Sequence, residues 1–201
     1  MGRIPSRATR RPRSRGLRAA QGLALLAAAW LAPAPPAAAG DWTVDPEASR
    51  LEVVIDVGGK RMAGAFATWS AEIAFDPETP DACRVRVVVD VASLSFPDGM
   101  ATGAAAEPQW LAAAAHPEAI FEGEGFQRDA PGAWTVHGDL TLKGQSRPLD
   151  LSVAIVTEGD VARAEVSAEL IRTDWKVGAP GEAMVDAAVT IHATVTAARA
   201  D

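Results

Sequence analysis

From Trp42 onward, apolar residues recur at every second position over most of the chain, the spacing that places successive side chains on opposite faces of a strand. Leu51, Val53, Ile55 and Val57 alternate with Arg50, Glu52, Val54 and Asp56 before Gly58-Gly59 marks a turn. The same period runs through Val85, Val87, Val89 and Val91, and again through Ala162, Ala164, Val166, Ala168 and Leu170. A last strand is expected from Val185 through Val189, Ile191, Ala193 and Val195. Between Gly138 and Leu151, two alternating runs flank a polar turn at Gly144-Gln145-Ser146, which predicts a β-hairpin. Pro148 falls near the start of its second strand, where a missing N–H costs little.

Two departures from strict alternation carry information. Met62, Gly64 and Phe66 hold even positions, whereas Trp69, Ala71, Ile73 and Phe75 hold odd ones. The inward face therefore changes parity at Ala67-Thr68, as a bulge or sharp bend would cause. Further on, Ala119, Phe121, Gly123 and Gly125 share a side against Glu122 and Glu124, and Trp134, Val136, Leu140 and Leu142 follow. Pro97 to Ala106 reads as a loop. Glu107 to Ala115 is the one expected helix, with Pro108 in its first turn and His116-Pro117 ending it, placed like a lid or plug.

About eight substantial strands, plus a short one at Trp42 to Val44, predict an all-β antiparallel barrel or sandwich, because closure or stacking hides that many apolar faces. Strands of roughly ten residues span about 33 Å, which suits a deep barrel better than a compact sandwich.

Residues 1–39 have a different character. Seven arginines and no acid precede the apolar run Ala19 to Leu31, which leads through a Pro-rich stretch to Ala37-Ala38-Ala39. This predicts a secretory signal peptide removed before Gly40, leaving one domain, 40–201, that is periplasmic, soluble and without stable membrane insertion. Arg10-Arg11 leaves export by the general or the twin-arginine route open. Those seven arginines leave 12 of the 19 Lys and Arg to face all 26 acids, a net charge near −14 for the mature chain. So acidic a domain is not expected to bind nucleic acid or an anionic membrane surface. Cys83 is the single cysteine, which excludes an intramolecular disulfide; a small core or edge residue is the simplest role for it. The oligomeric state is open, and a dimer is compatible with the pattern.

The sequence offers little for catalysis. His137 and His192 have outward parity, and His116 lies in the turn after the expected helix, so no metal or Ser-His-Asp arrangement is indicated. Binding is better supported. The expected inward set is Leu51, Val53, Ile55, Phe66, Phe75, Val87, Val89, Phe121, Trp134, Leu140, Leu142, Leu151, Val153, Leu170 and Val189, interspersed with Gly and Ala. An eight-stranded barrel is just wide enough to fill with side chains or to keep one ligand, and small residues such as Ala162, Ala164, Ala187 and Ala193 favour the latter. Arg172 is the one cation whose parity points inward, so it requires a carboxylate, a ligand head group or carbonyls as partner. Trp110 either closes the mouth or anchors the helix; Trp42, Trp69 and Trp175 read as packing residues near strand ends.

Four stretches carry a family resemblance: DWTVDPEASRLEVVI, MAGAFATWSAEIAFDPETP, HPEAIFEG, and GDLTLKGQSRPLDL followed later by LIRTDWKVG. In this order the chain resembles the YceI-like family of periplasmic lipid- or polyisoprenoid-binding proteins. It departs from the family's usual pattern between Phe96 and Gln109. The resemblance implies an eight-stranded antiparallel barrel, lipocalin-like in architecture, holding an isoprenoid, quinone or other amphiphilic chain and needing no further cofactor. Two alternatives stay open at this point. One is a solid barrel acting as a stress-response or protein-interaction module. The other is an enzyme on an isoprenoid or quinone, for which Arg172 with Asp174 is the pair to nominate.

Overall fold

The computed structural model describes residues 40–179, 181 and 184–200; the expected signal peptide lies outside them. Among the described residues there are eleven strands: β1 (Asp41–Val44), β2 (Arg50–Val57), β3 (Lys60–Phe66), β4 (Trp69–Ala74), β5 (Arg84–Asp90), β6 (Leu94–Ser95), β7 (Glu118–Ala130), β8 (Ala133–Leu142), β9 (Gln145–Glu158), β10 (Val161–Ile171) and β11 (Ala188–Arg199). They form one antiparallel sheet in the order β1-β4-β5-β7-β8-β9-β10-β11, and β1 also pairs β11, which closes the ring. The remaining strands extend this ring. β2 continues β1 along β11, β3 leads through the bend at Ala67-Thr68 into β4, and β6 continues β5 beside β3, giving an eight-staved barrel.

The β8–β9 hairpin is tighter than its sequence suggested. Its turn is two residues, Lys143 (φ 49°) and Gly144 (φ 69°), with Leu142 paired to Gln145. Left-handed backbone at both central positions matches the twist of the flanking strands, and glycine supplies it without strain. Pro148 lies beyond the β9–β10 ladder, which stops at Ser152–Ser167, so its missing N–H deprives no β10 carbonyl.

The structure corrects the sequence in three places. The helix α1 is Gly99–Ala106, within the stretch expected to be a loop, and residues 107–115 form successive turns. Asp98 caps α1 by accepting from Met100 N (2.9 Å), alanines sustain it, and it ends at Glu107 (ψ 157°), which the ring of Pro108 holds out of helical geometry. In β7 the register shifts between Gly123 and Gly125, so Glu124 is the extra residue of a bulge. Gly125 consequently backs onto the exposed His137, and Phe126 turns inward instead. Finally, β11 begins at Ala188; Val185 makes only a lone bridge to Val57.

Antiparallel winding gathers the turns at two ends. At one end lie the β4–β5, β7–β8 and β9–β10 turns, closed from inside by Trp42, Phe75, Cys83, Trp134 and Ala197. Phe75 meets Trp134 edge-on (5.3 Å, 89°) and Phe126 at 5.8 Å, while Trp42 Nε1 donates to Phe75 O (2.9 Å). Cys83 is fully buried beneath the β4–β5 turn, where its Sγ accepts from Asp76 N (3.3 Å). The opposite end carries α1, the turns of residues 107–115 and the β10–β11 connection.

Candidate functional site

Between these two ends the barrel holds a cavity of about 320 Å³. Alternation builds it: β2, β5, β8, β9, β10 and β11 each send one face inward. Of the residues expected to line the interior, Leu51, Val53, Ile55, Phe66, Phe75, Val87, Val89, Phe121, Leu140, Leu142, Leu151, Val153, Leu170, Arg172 and Val189 do so, and Trp110 joins them from the covered end. Trp134 does not. It is 3% exposed inside the closed end, behind Phe75, with the Arg128 guanidinium 4.7 Å over its ring.

The sequence reading missed lining residues of two kinds. Trp42 and Trp69, read as packing residues, border the cavity, as do Leu149 and Phe126. Leu149 was visible in the alternation, and Phe126 is hidden only by the bulge before it. Phe96, Leu111 and Val177 come from irregular segments, where no period marks an inward side chain.

Arg172 is the only buried charged residue among those described, at 4% exposure. It opens the short 3-10 turn Arg172–Trp175, which sets its side chain across the barrel end. Of the partners open to it, the structure supplies carbonyls. Nε donates to Asp186 O (2.9 Å), Nη1 to Val177 O (2.7 Å) and Nη2 to Val185 O (2.7 Å). These bonds tie both limbs of the β10–β11 connection to one guanidinium. Asp174 is exposed and makes no ion pair with Arg172; its carbonyl instead accepts from Arg147 Nε (2.7 Å). The nominated catalytic pair is therefore not brought together.

The covering segments are also tied to one another. Lys143 Nζ donates to Gln109 O (3.0 Å) and Lys176 O (2.8 Å), and Gly178 N donates to Gln109 O (2.8 Å). Burial lowers the pKa of Lys143 from its ordinary value. Trp175 Nε1 donates to Leu140 O (2.9 Å), which pins the 3-10 turn to β8.

No histidine reaches the cavity lining. His137 pairs with Asp150 (2.8 Å) on the outer surface, His192 is exposed, and His116 packs beside Gly144. Among the described residues, no cluster of His, Cys, Asp and Glu could hold a metal ion. Nor is any helix among them long and apolar enough to cross a membrane.

This geometry agrees with comparison to known proteins, where the model of the YceI-like domain matches residues 42–197. The chain belongs to the YceI-like family. A UPF0312 protein of Azotobacter vinelandii is 26% identical over 126 residues, covering 61% of this chain and 66% of that protein. Among solved structures, Burkholderia cenocepacia BcnA matches with a TM-score of 0.73 at 24% identity, over 76% of this chain and 98% of that one. A polyisoprenoid binding domain from Saccharophagus degradans, implicated in plant cell wall breakdown, matches with a TM-score of 0.59 at 14% identity, over 79% of this chain and 98% of that one. At these identities, the likeness of the YceI-like chain to both structures is one of fold.

Proposed function

We propose that this YceI-like protein is an exported, periplasmic carrier that binds one long-chain amphiphile, of polyisoprenoid, quinone or fatty-acid type, in its barrel and catalyses no reaction on it. The observation that carries this reading is the cavity of about 320 Å³, whose lining is apolar except for Arg172. A hydrocarbon chain gains about 0.8 kcal/mol per methylene on leaving water for such a lining, and few polar groups are then needed to orient it. The polyisoprenoid-binding domain from Saccharophagus degradans, which shares this fold, supports the same ligand class. Arg172 borders the cavity with its guanidinium already engaged by three carbonyls and almost no polar surface turned to the interior, which suits a structural tie at the barrel end better than a proton-transfer group.

Organic extraction of the purified protein followed by mass spectrometry tests this. Recovery of a long-chain amphiphile in near-stoichiometric amount is expected. Repeated recovery of none, with no uptake of a pyrene-labelled long-chain fatty acid, would overturn the reading.

A further inference from the structure

Both ends of the barrel are covered, yet one stretch of its wall is not laced. β1 and β4 pair only at Asp41–Ala74 and Trp42–Ile73, and the next rung between the same two staves is Leu51–Phe66 in β2–β3. Between these rungs lie residues 43–50 on one side and 67–72 on the other. The first group bonds away from the gap, with Asp45 N donating to Thr196 O and Thr196 N to Ser49 Oγ. The second bonds away on its own side, with Ala67 N donating to Ser93 O, Asp90 N to Thr68 O, and β4 laddered to β5. Among the described residues, no hydrogen bond crosses the gap.

A groove of about 520 Å³ lies along this gap. It is bordered by Trp69, Ser70, Ala71, Glu72 and Ile73 and by Asp41, Trp42, Thr43 and Val44. Consecutive strand residues point to opposite faces, so a groove that touches every residue of two facing segments lies at their edges, not on either face. Trp42, Trp69, Ala71 and Ile73 border both this groove and the interior cavity. The interior and the groove therefore adjoin at the seam, with those four side chains between them.

We infer that the seam between β1 and β4 is a lateral subsite for the far end of the bound hydrocarbon chain, and the passage through which that chain threads into the barrel. Asp41 and Glu72 stand on the rim, which disfavours an anionic head group there and leaves the seam to the hydrocarbon end, flanked by Trp42 and Trp69. Arg172, the one charged residue bordering the cavity, lies at the opposite, covered end, and the head group is assigned to that end because the rim acids stand at the seam. Threading through the seam requires no hydrogen bond of the wall to break, whereas entry past Trp110 would require the Lys143 and Gly178 ties to open.

The inference rests on the carrier reading and is tested with it. In a Thr43→Cys, Glu72→Cys double variant, the new thiols continue the register of the last closed rung, and Cys83, fully buried, does not compete with them. Stopped-flow uptake of a pyrene-labelled long-chain fatty acid is compared between the oxidised and reduced forms of this one protein. Uptake at least about ten-fold slower when oxidised, restored by reductant, is the expected result. Equal rates in the two forms would overturn the lateral passage and leave the carrier reading intact; no uptake by the unaltered protein would overturn both. Ser70→Cys, which makes no crosslink, offers a second route: a bulky maleimide there is expected to slow uptake to a similar extent, and unchanged uptake after labelling would also overturn the passage.

Discussion

The guanidinium carbon of Arg172 lies 5.1 Å from the centre of the Trp110 ring, so the buried cation and the aromatic side chain cover the barrel end as one unit. A cation over an indole face is attracted by the ring quadrupole, and more strongly where water is excluded. The contact joins the turns of residues 107–115 to the β10–β11 connection. The covered end is thus held by one charge shared among three carbonyls and a ring.

Arg172→Met is therefore expected to lower unfolding stability by about 3 kcal/mol or more, since carbonyls of Asp186, Val177 and Val185 lose their donors together. Arg172→Lys keeps the charge but not the planar fork, and its loss should be intermediate. Urea unfolding monitored by tryptophan fluorescence measures both. A loss below about 1 kcal/mol in Arg172→Met would show that water satisfies these carbonyls instead.

The same guanidinium makes Gly178 irreplaceable. Its φ is +102°, and a Cβ there would run into Arg172 Nη1. Gly178→Ala is expected to cost about 2–4 kcal/mol, whereas Gly59→Ala, at φ +79° but with open space around it, should cost only about 1 kcal/mol. Similar losses at the two sites would mean that backbone strain alone is felt and the Arg172 contact yields freely.

Cys83 sets a pH dependence. Burial raises its pKa above the ordinary 9.0, with the backbone hydrogen bond at Asp76 opposing in part. The folded state then holds the thiol proton more tightly than the unfolded chain does. Stability from this group is complete below the unfolded value and declines as pH rises above it toward the folded value. Unfolding free energies measured from pH 8 to 11 should fall along this limb, with a shallower fall in Cys83→Ala. The native thiol should resist a disulfide reagent until urea unfolds the chain; rapid native reaction would contradict its burial.

The barrel was legible because alternation is the direct imprint of a wall with one apolar face. The bend at Ala67-Thr68 even announced itself as a change of parity. What escaped was set by local chemistry that competes with periodicity. Pro108 in a first turn and His116-Pro117 beyond its end gave residues 107–115 the look of a helix, but the backbone turns left-handed at Ala112 (φ 52°), and the blander Gly99–Ala106 stretch with its Asp98 cap took the helix. One extra residue, Glu124, turned Phe126 inward. The inward parity of Arg172 identified a buried cation, but its partners lie up to 14 residues away along an irregular connection, which no pattern reports. The unlaced seam was beyond reach for a similar reason, since alternation shows which side of a strand faces inward and not which neighbour it bonds.

Small side chains in the wall leave the interior open, and this can be tested at Ala164. It faces the cavity from β10 opposite Val195, with no polar neighbour to lose. In a merely loose core, Ala164→Phe would fill space and raise stability by about 0.5–2 kcal/mol without affecting any ligand. In a carrier, the same ring occupies the path of the chain. Stability is expected to hold or rise, while affinity for a pyrene-labelled long-chain fatty acid falls by at least ten-fold, about 1.4 kcal/mol or more. Shorter chains, which need less of the cavity, should lose less. Opposite movement of stability and affinity, read by urea unfolding and fluorescence titration on the same preparation, separates a ligand cavity from a packing defect. An equal loss for long and short chains would place the binding path elsewhere in the barrel.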